Sequence, residues 1–253
     1  MELLLALDFI TISGAKKVLK EVDNTDVIVH AYNTILEMAK EASKRGLKLL
    51  GITEHVSGIP GICSHVFFGN SRLVPRKMYG VELMLGAEIN IIDYNGKLSL
   101  EDRLIDKLDV RIAGLHKHCY TPGTVGQNIT AIIGAIKNPK IDIISLPDDN
   151  SFSLDYEAII QAAKKYNTLL EFNNNSLNPM NGRKNVRENN IHILQLCKKY
   201  GVPIILGSDA HVDINIIRCD FVCEVLCKIN FPKELIINNS VMDFKNKMNL
   251  NRV

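Results

Sequence analysis

The sequence predicts an α/β protein built on parallel strands, and three observations carry that prediction. Apolar runs rich in Leu, Ile and Val alternate with helical segments along all 253 residues, at the scale of βαβ units and with no composition break that would mark a second domain. Seven such units in this length fit a barrel of the triosephosphate-isomerase kind better than an open sheet. No glycine-rich phosphate loop follows any strand, so a Rossmann or P-loop arrangement lacks its fingerprint.

The elements follow in order. Glu2 to Ser13 reads as strand one. Residues 14–29, with Lys16, Lys17, Lys20, Glu21, Asp23 and Asp26, form a polar excursion. Asn33 or Thr34 caps a helix that runs to Arg45, with Ile35, Met38, Ala39 and Ala42 on one face and Gly46 as its stop. Leu47–Thr53 is strand two and leads into Glu54-His55. A loop then passes Gly58, His65, Phe67 and Phe68 to Arg72 and Arg76. Leu83–Ile92 is strand three and carries Glu88; Asp93-Tyr94-Asn95-Gly96 is a turn. After a short helix at Leu100–Leu108 comes strand four, Asp109–Leu115, ending in His116. Helices at Asn128–Lys137 and Leu154–Tyr166 flank strand five, Ile141–Leu146. Strand six is Thr168–Phe172, followed by a helix ending at Tyr200. Strand seven opens at Val202 and stops at Gly207-Ser208-Asp209-Ala210-His211. A helix near Cys219–Lys228 and a polar C-terminal helix complete the chain.

Composition narrows the function. Hydrophobic residues at 46% and charged residues at 23% are those of a soluble globular protein. A net charge of +2 gives no nucleic-acid footprint. The apolar start has no basic leader, and Asp8 interrupts it too early for a membrane span. Six scattered cysteines form no C-x-x-C pair and favour a reducing, cytoplasmic setting. Cys219, Cys223 and Cys227 lie four apart, a spacing that serves apolar packing on one helix face better than a thiolate site.

Metal-capable residues collect at strand ends. His55 follows strand two, Glu88 lies in the distal half of strand three, His116 follows strand four, and Asp209 and His211 follow strand seven. In a parallel barrel all these ends open on one face, where such folds place their active sites. Imidazole nitrogen with carboxylate oxygen suits zinc, manganese or iron. His30, just before the first helix, makes four of the seven histidines candidates. His118, His65 and His192 are read as loop or helix-face residues.

Taken together, His30-Ala31-Tyr32, Gly51-Ile52-Thr53-Glu54-His55, Gly86-Ala87-Glu88-Ile89-Asn90, Ala113-Gly114-Leu115-His116, Glu171-Phe172-Asn173-Asn174 and Gly207-Ser208-Asp209-Ala210-His211 resemble the PHP (polymerase and histidinol phosphatase) family, in its YcdX-like phosphatase group. The resemblance spans nearly the whole chain as one domain. It implies a distorted (β/α)7 barrel, a trinuclear and usually zinc site, and hydrolysis of phosphate monoesters. One ion would be held by His30, His55 and His211. The other two would share Glu88, one with Asp209 and one with His116. Arg72 and Arg76 match a basic stretch of the family and are candidates to neutralise phosphate oxygens; His118 is a candidate acid or base.

This copy departs from the pattern at three ligand positions. The opening Asp-x-His-x-His reads Asp8-Phe9-Ile10-Thr11-Ile12, and the strand-five Ser-His-Pro reads Ser145-Leu146-Pro147. Glu54 stands where an Asp is usual, and residues 14–29 are an insertion. The expectation is therefore one or two ions rather than three, with Zn2+ first and Mn2+ or Fe2+ as substitutes. The implied partner is a small phosphorylated substrate, with neither nucleic acid nor membrane. The rival reading is a catalytically impaired protein that keeps the fold and one structural or sensory metal; a third is another metal hydrolase on the same barrel, acting on an amide or a phosphodiester.

Overall fold

A computed structural model of the protein describes residues 7–11, 32–56, 58, 63–148, 150–181 and 183–250. Expectations for the 14–29 insertion, Ile12 and His30 fall outside these residues.

The strands are β1 (Leu7–Thr11), β2 (Leu49–His55), β3 (Lys77–Met78), β4 (Val81–Asn90), β5 (Val110–Gly114), β6 (Ile143–Ser145), β7 (Leu169–Asn173) and β8 (Ile204–Gly207). They form one sheet in the order β1-β2-β4-β5-β6-β7-β8, every neighbour parallel, with the two-residue β3 as an antiparallel hairpin on β4. The helices are α1 (Ile35–Lys44), α2 (His65–Asn70), α3 (Asp102–Ile105), α4 (Val125–Lys137), α5 (Tyr156–Tyr166), α6 (Val186–Tyr200), α7 (Asp220–Lys228) and α8 (Val241–Leu250). Thr34, not Asn33, caps α1, in a capping box with Glu37. Helix α2 and strand β3 fall where a plain loop is expected; α2 is held because Phe68 is fully buried beside Leu104 and Ile105.

The sheet is curled, a half-barrel. Residues of β1 and β8 approach within 8 Å, Cα to Cα, but no ladder joins these strands among the described residues. Among the described residues, strand pairing thus gives a half-barrel and not the closed seven-strand barrel expected from the sequence.

Period-two alternation sorts each strand's side chains between two faces. Facing the helices, Ala87, Ile89, Ala113, Ile144, Leu170, Phe172, Ile204 and Leu206 join the main core with α4, α5, α6 and α7. Leu50, Ile52, Leu83 and Leu85 meet α1 on the same face. On the concave face, Leu49, Val110, Ile112, Ile143, Leu169 and Ile205 form an apolar layer, which Phe244 and Met248 of α8 complete. A helix that reads as polar thus supplies two buried side chains to the interior. Lys245 on its outer face pairs with Glu82 at 2.6 Å.

Arg111 and Asp142 tie β5 to the segment before β6. The guanidinium donates to both carboxylate oxygens at 2.8 and 2.7 Å, and the Arg111 backbone N–H adds a third bond at 3.0 Å. Both side chains are buried, so the pair is fully satisfied where an unpaired charge would be costly. No helix among the described residues is long and apolar enough to cross a membrane.

Candidate metal centre and pocket

One alternation step beyond the apolar layer, the concave face turns polar. His55 of β2 and Glu88 of β4 are direct partners in the parallel register, so their side chains leave the sheet at one height and on one face. His116 follows β5, whose Ile112 is the register partner of Glu88. The three side chains meet: His116 Nε2 lies 3.0 Å from Glu88 Oε1, His55 Nδ1 lies 3.5 Å from Glu88 Oε2, and the imidazoles pack edge to face with centroids 5.0 Å apart. Ligand atoms of all three lie within 4.8 Å of one another, the one such group among the described residues.

Ser145 and Glu171 are register partners on the next strands, β6 and β7. Gly207 on β8 leaves the space that the Glu171 carboxyl enters: a Cβ there would sit 2.6 Å from Glu171 Oε1. Asp209 and His211 follow, Asp209 with a left-handed φ of 49° and His211 Nδ1 at 2.8 Å from the Asp209 carbonyl oxygen. Tyr32 N–H donates to the His211 carbonyl at 2.9 Å and ties the approach to α1 to this strand end.

These groups share a cavity of about 580 Å³ at the C-terminal ends of the strands. His55, Glu88, His116, His118, Asp209 and His211 all line it, as do Glu171, Lys117 and Arg183. Leu146 lines it too and packs against the main core, so the position where the resemblance leads one to expect a histidine is an apolar wall. The side chain of Ile10 is not described; its backbone pairs with Ile52.

Arg72 and Arg76 are not among the lining residues. Arg76 is engaged near the N-terminal ends of the strands, where it pairs with Asp109 at 2.6 Å and donates to the carbonyls of Ser71 and Val74. Arg72 sits in the short turn after α2, exposed. The arginine in the pocket is Arg183, from the irregular segment before α6. Asp148 accepts bonds from Ser176 and Asn190 and lies 3.7 Å from Arg183.

Electrostatically the pocket is poised for a cation. Burial alone would raise the Glu88 carboxyl, but His55 and the His116 hydrogen bond outweigh it and hold it down to about 2. Glu171 goes the other way, pushed up to about 8 by burial, then by the charges of Glu88 and Asp209. Glu54, next to His55 but on the opposite face of β2, is raised by burial. His116 Nδ1 is buried with no hydrogen-bond partner among the described residues. Two imidazoles and a carboxylate converging at this spacing fit a zinc-type donor set.

No family model matches the chain. Curated relatives do. A protein of Caldicellulosiruptor bescii named a probable phosphatase is 44% identical over 215 residues, covering 85% of this chain and 88% of its own. One of the same name from Caldicellulosiruptor saccharolyticus is 45% identical over 215 residues, covering 85% and 89%. The chain belongs to this probable-phosphatase family.

Solved structures support the fold. A hisK protein of Listeria monocytogenes, named as a histidinol phosphatase, superposes with a TM-score of 0.55 at 15% identity, over 84% of this chain and 98% of that one. The histidinol phosphate phosphatase of Lactococcus lactis, solved with zinc, L-histidinol and phosphate, gives a TM-score of 0.51 at 12% identity, over 90% and 94%. An archaeal ribonuclease P structure with mature tRNA gives 0.56 at 14%, over 98% and 93%, so the fold by itself does not select a phosphatase.

Lys117, Glu171 and Arg183 are charged pocket residues to which the sequence reading gives no role. A signal for Glu171 was available: Leu169, Glu171 and Asn173 share one face by period two, and a carboxylate inside a buried strand is expensive unless it serves a site. Arg183 lies in irregular chain, where no periodicity points inward.

Proposed function

We propose that the chain is a metal-dependent phosphatase acting on small phosphate monoesters, with His55, Glu88 and His116 as its principal ion site. The carrying observation is the register pairing of His55 with Glu88 under His116, in a cavity at the strand ends. Asp209 and His211 line the same cavity and are proposed, with His30, to complete a second site, giving one or two ions. A bound zinc or manganese ion supplies Lewis acidity toward a phosphate ester.

The chain's own groups do the rest. Glu88 is ionised at neutral pH and fixes the two imidazoles by its two oxygens. Lys117 and His118, the residues after His116, line the cavity from its exposed side and bring positive charge and N–H donors to the phosphate oxygens. His118, which lines the same cavity, is the proposed proton donor to the leaving alkoxide. Leu146, Phe152 and Phe172 line the wall and keep water from the ester's organic part. None of the six cysteines is in a disulfide, consistent with a reducing, cytoplasmic setting.

The second reading, a diverged protein keeping a metal without turnover, is favoured by Ile10, Ile12 and Leu146, which stand where the resemblance implies ligands. The test is hydrolysis of an aryl phosphate by zinc-loaded and manganese-loaded protein, beside the Glu88→Gln variant. Turnover that falls at least a hundredfold in the variant supports the phosphatase. A metal-replete wild type that is inert, and that gains turnover on Leu146→His, supports the second reading.

A further inference from the structure

We infer that Arg183 determines specificity, and that the preferred substrate carries a second anionic group, a carboxylate or a further phosphate, on the part of the ester remote from the scissile phosphate. This rests on the phosphatase reading for the words substrate and ester; the binding preference itself does not need turnover.

Arg183 is held by one end. Its Nη1 donates to Ser176 Oγ at 2.5 Å and lies 3.7 Å from Asp148 Oδ1. Ser176 donates in turn to Asp148 Oδ1 at 3.3 Å, and Asn190 donates to Asp148 Oδ2 at 2.9 Å. Asp148 is 6% exposed and so is a fixed anchor. The Nε–Nη2 edge of Arg183, the fork that matches a carboxylate or phosphate with two parallel bonds, makes no hydrogen bond or ion pair among the described residues. An arginine pinned at one nitrogen, with its bidentate edge unused and its side chain lining the cavity, is built to receive an anion.

That anion is a second one. The metal-capable triad comes from β2, β4 and the end of β5, whereas Ser176, the anchor of Arg183, follows β7. Two strand steps separate β5 from β7, about 10 Å along the sheet at roughly 4.8 Å per step, wider than one phosphate group. At about 580 Å³ the cavity has room for an organic part as well as a phosphate. Asp148 is already engaged by Ser176 and Asn190, and the nearby Arg183 guanidinium opposes a cationic group there. A cationic leaving group, such as the amino alcohol held by the Lactococcus lactis structure, would meet the guanidinium and be disfavoured here.

The test is calorimetric binding of 3-phosphonopropionate and methylphosphonate to the zinc-loaded full-length chain and to Arg183→Met. The wild type is expected to bind the phosphonocarboxylate about tenfold more tightly, the effect of one charge-assisted bidentate contact at a half-exposed site. Arg183→Met is expected to bring that ratio to within about twofold of one, and Arg183→Lys to keep part of it. A wild-type ratio near one overturns the inference. So does a variant that weakens both ligands equally and keeps the ratio, since Arg183 would then hold the phosphate itself. If the ratio behaves as expected while no ester is hydrolysed, the phosphatase reading fails and the anion subsite stands.

Discussion

Gly207→Ala connects the concave face of the sheet to the site, and its size can be worked from the structure. Gly207 has no unusual backbone angle, so the substitution acts through space alone. The new methyl would sit 2.6 Å from Glu171 Oε1, 3.6 Å from Cδ and 3.8 Å from Cγ, against about 3.4 Å for ordinary contact. Glu171 must swing away. It then loses its Ser145 hydrogen bond, worth about 1 kcal/mol, and moves within a cavity that already holds the charges of Glu88 and Asp209. Crowding of this kind costs about 1–3 kcal/mol, or a fall in Tm of roughly 2–6 °C for a chain of this size. A double-mutant cycle isolates the cause. In the Glu171→Ala background the clash has no partner, and Gly207→Ala should cost less than about 0.5 kcal/mol. Chemical denaturation of the four metal-free proteins measures this. Equal costs in both backgrounds would refute the proposed placement of Glu171 over Gly207.

Three further predictions concern charge. Metal-free protein should lose stability as pH rises from the ordinary carboxyl value of 4.5 toward about 8, because folded Glu171 keeps a proton that the unfolded chain releases in that window; Glu88, held down to about 2, acts only below it. Glu171→Gln should flatten the stability profile between pH 5 and 8, and an unchanged slope in pH-dependent denaturation counts against the assignment. Asp142→Ala should destabilise by about 3–5 kcal/mol, since it strands buried Arg111; denaturation showing less than about 1 kcal/mol would mean the pair is solvated. Arg76→Ala should cost about 1 kcal/mol through its Asp109 pair while leaving aryl-phosphate kcat/KM within twofold of wild type; a tenfold loss of turnover would return Arg76 to the site.

Much of this molecule was legible as sequence because burial writes itself into periodicity. The strands from Leu49 to Gly207 follow apolar runs, and the residues just past them, His55, His116, Asp209 and His211, reach one cavity because parallel strands end on one face. What was not legible depends on contacts between distant segments. Arg76 and Arg183 are both arginines in irregular chain, and nothing local says that one meets Asp109 while the other meets Ser176. Helix α8 looks polar because it offers the core only Phe244 and Met248, yet these complete the apolar layer inside the sheet. Helix α2 is too short for a periodic signal and exists because Phe68 is buried. Alternation puts Glu171 on the inner face, but the room that Gly207 of the neighbouring strand makes for it is a contact between distant segments.

The central claim is that His55, Glu88 and His116 hold an ion. Elemental analysis of protein purified from metal-replete medium tests it most directly. At least one zinc or manganese per chain is expected in the wild type, falling by one equivalent in both Glu88→Gln and His116→Ala. A wild type without stoichiometric metal, or variants that keep the full wild-type content, would contradict it.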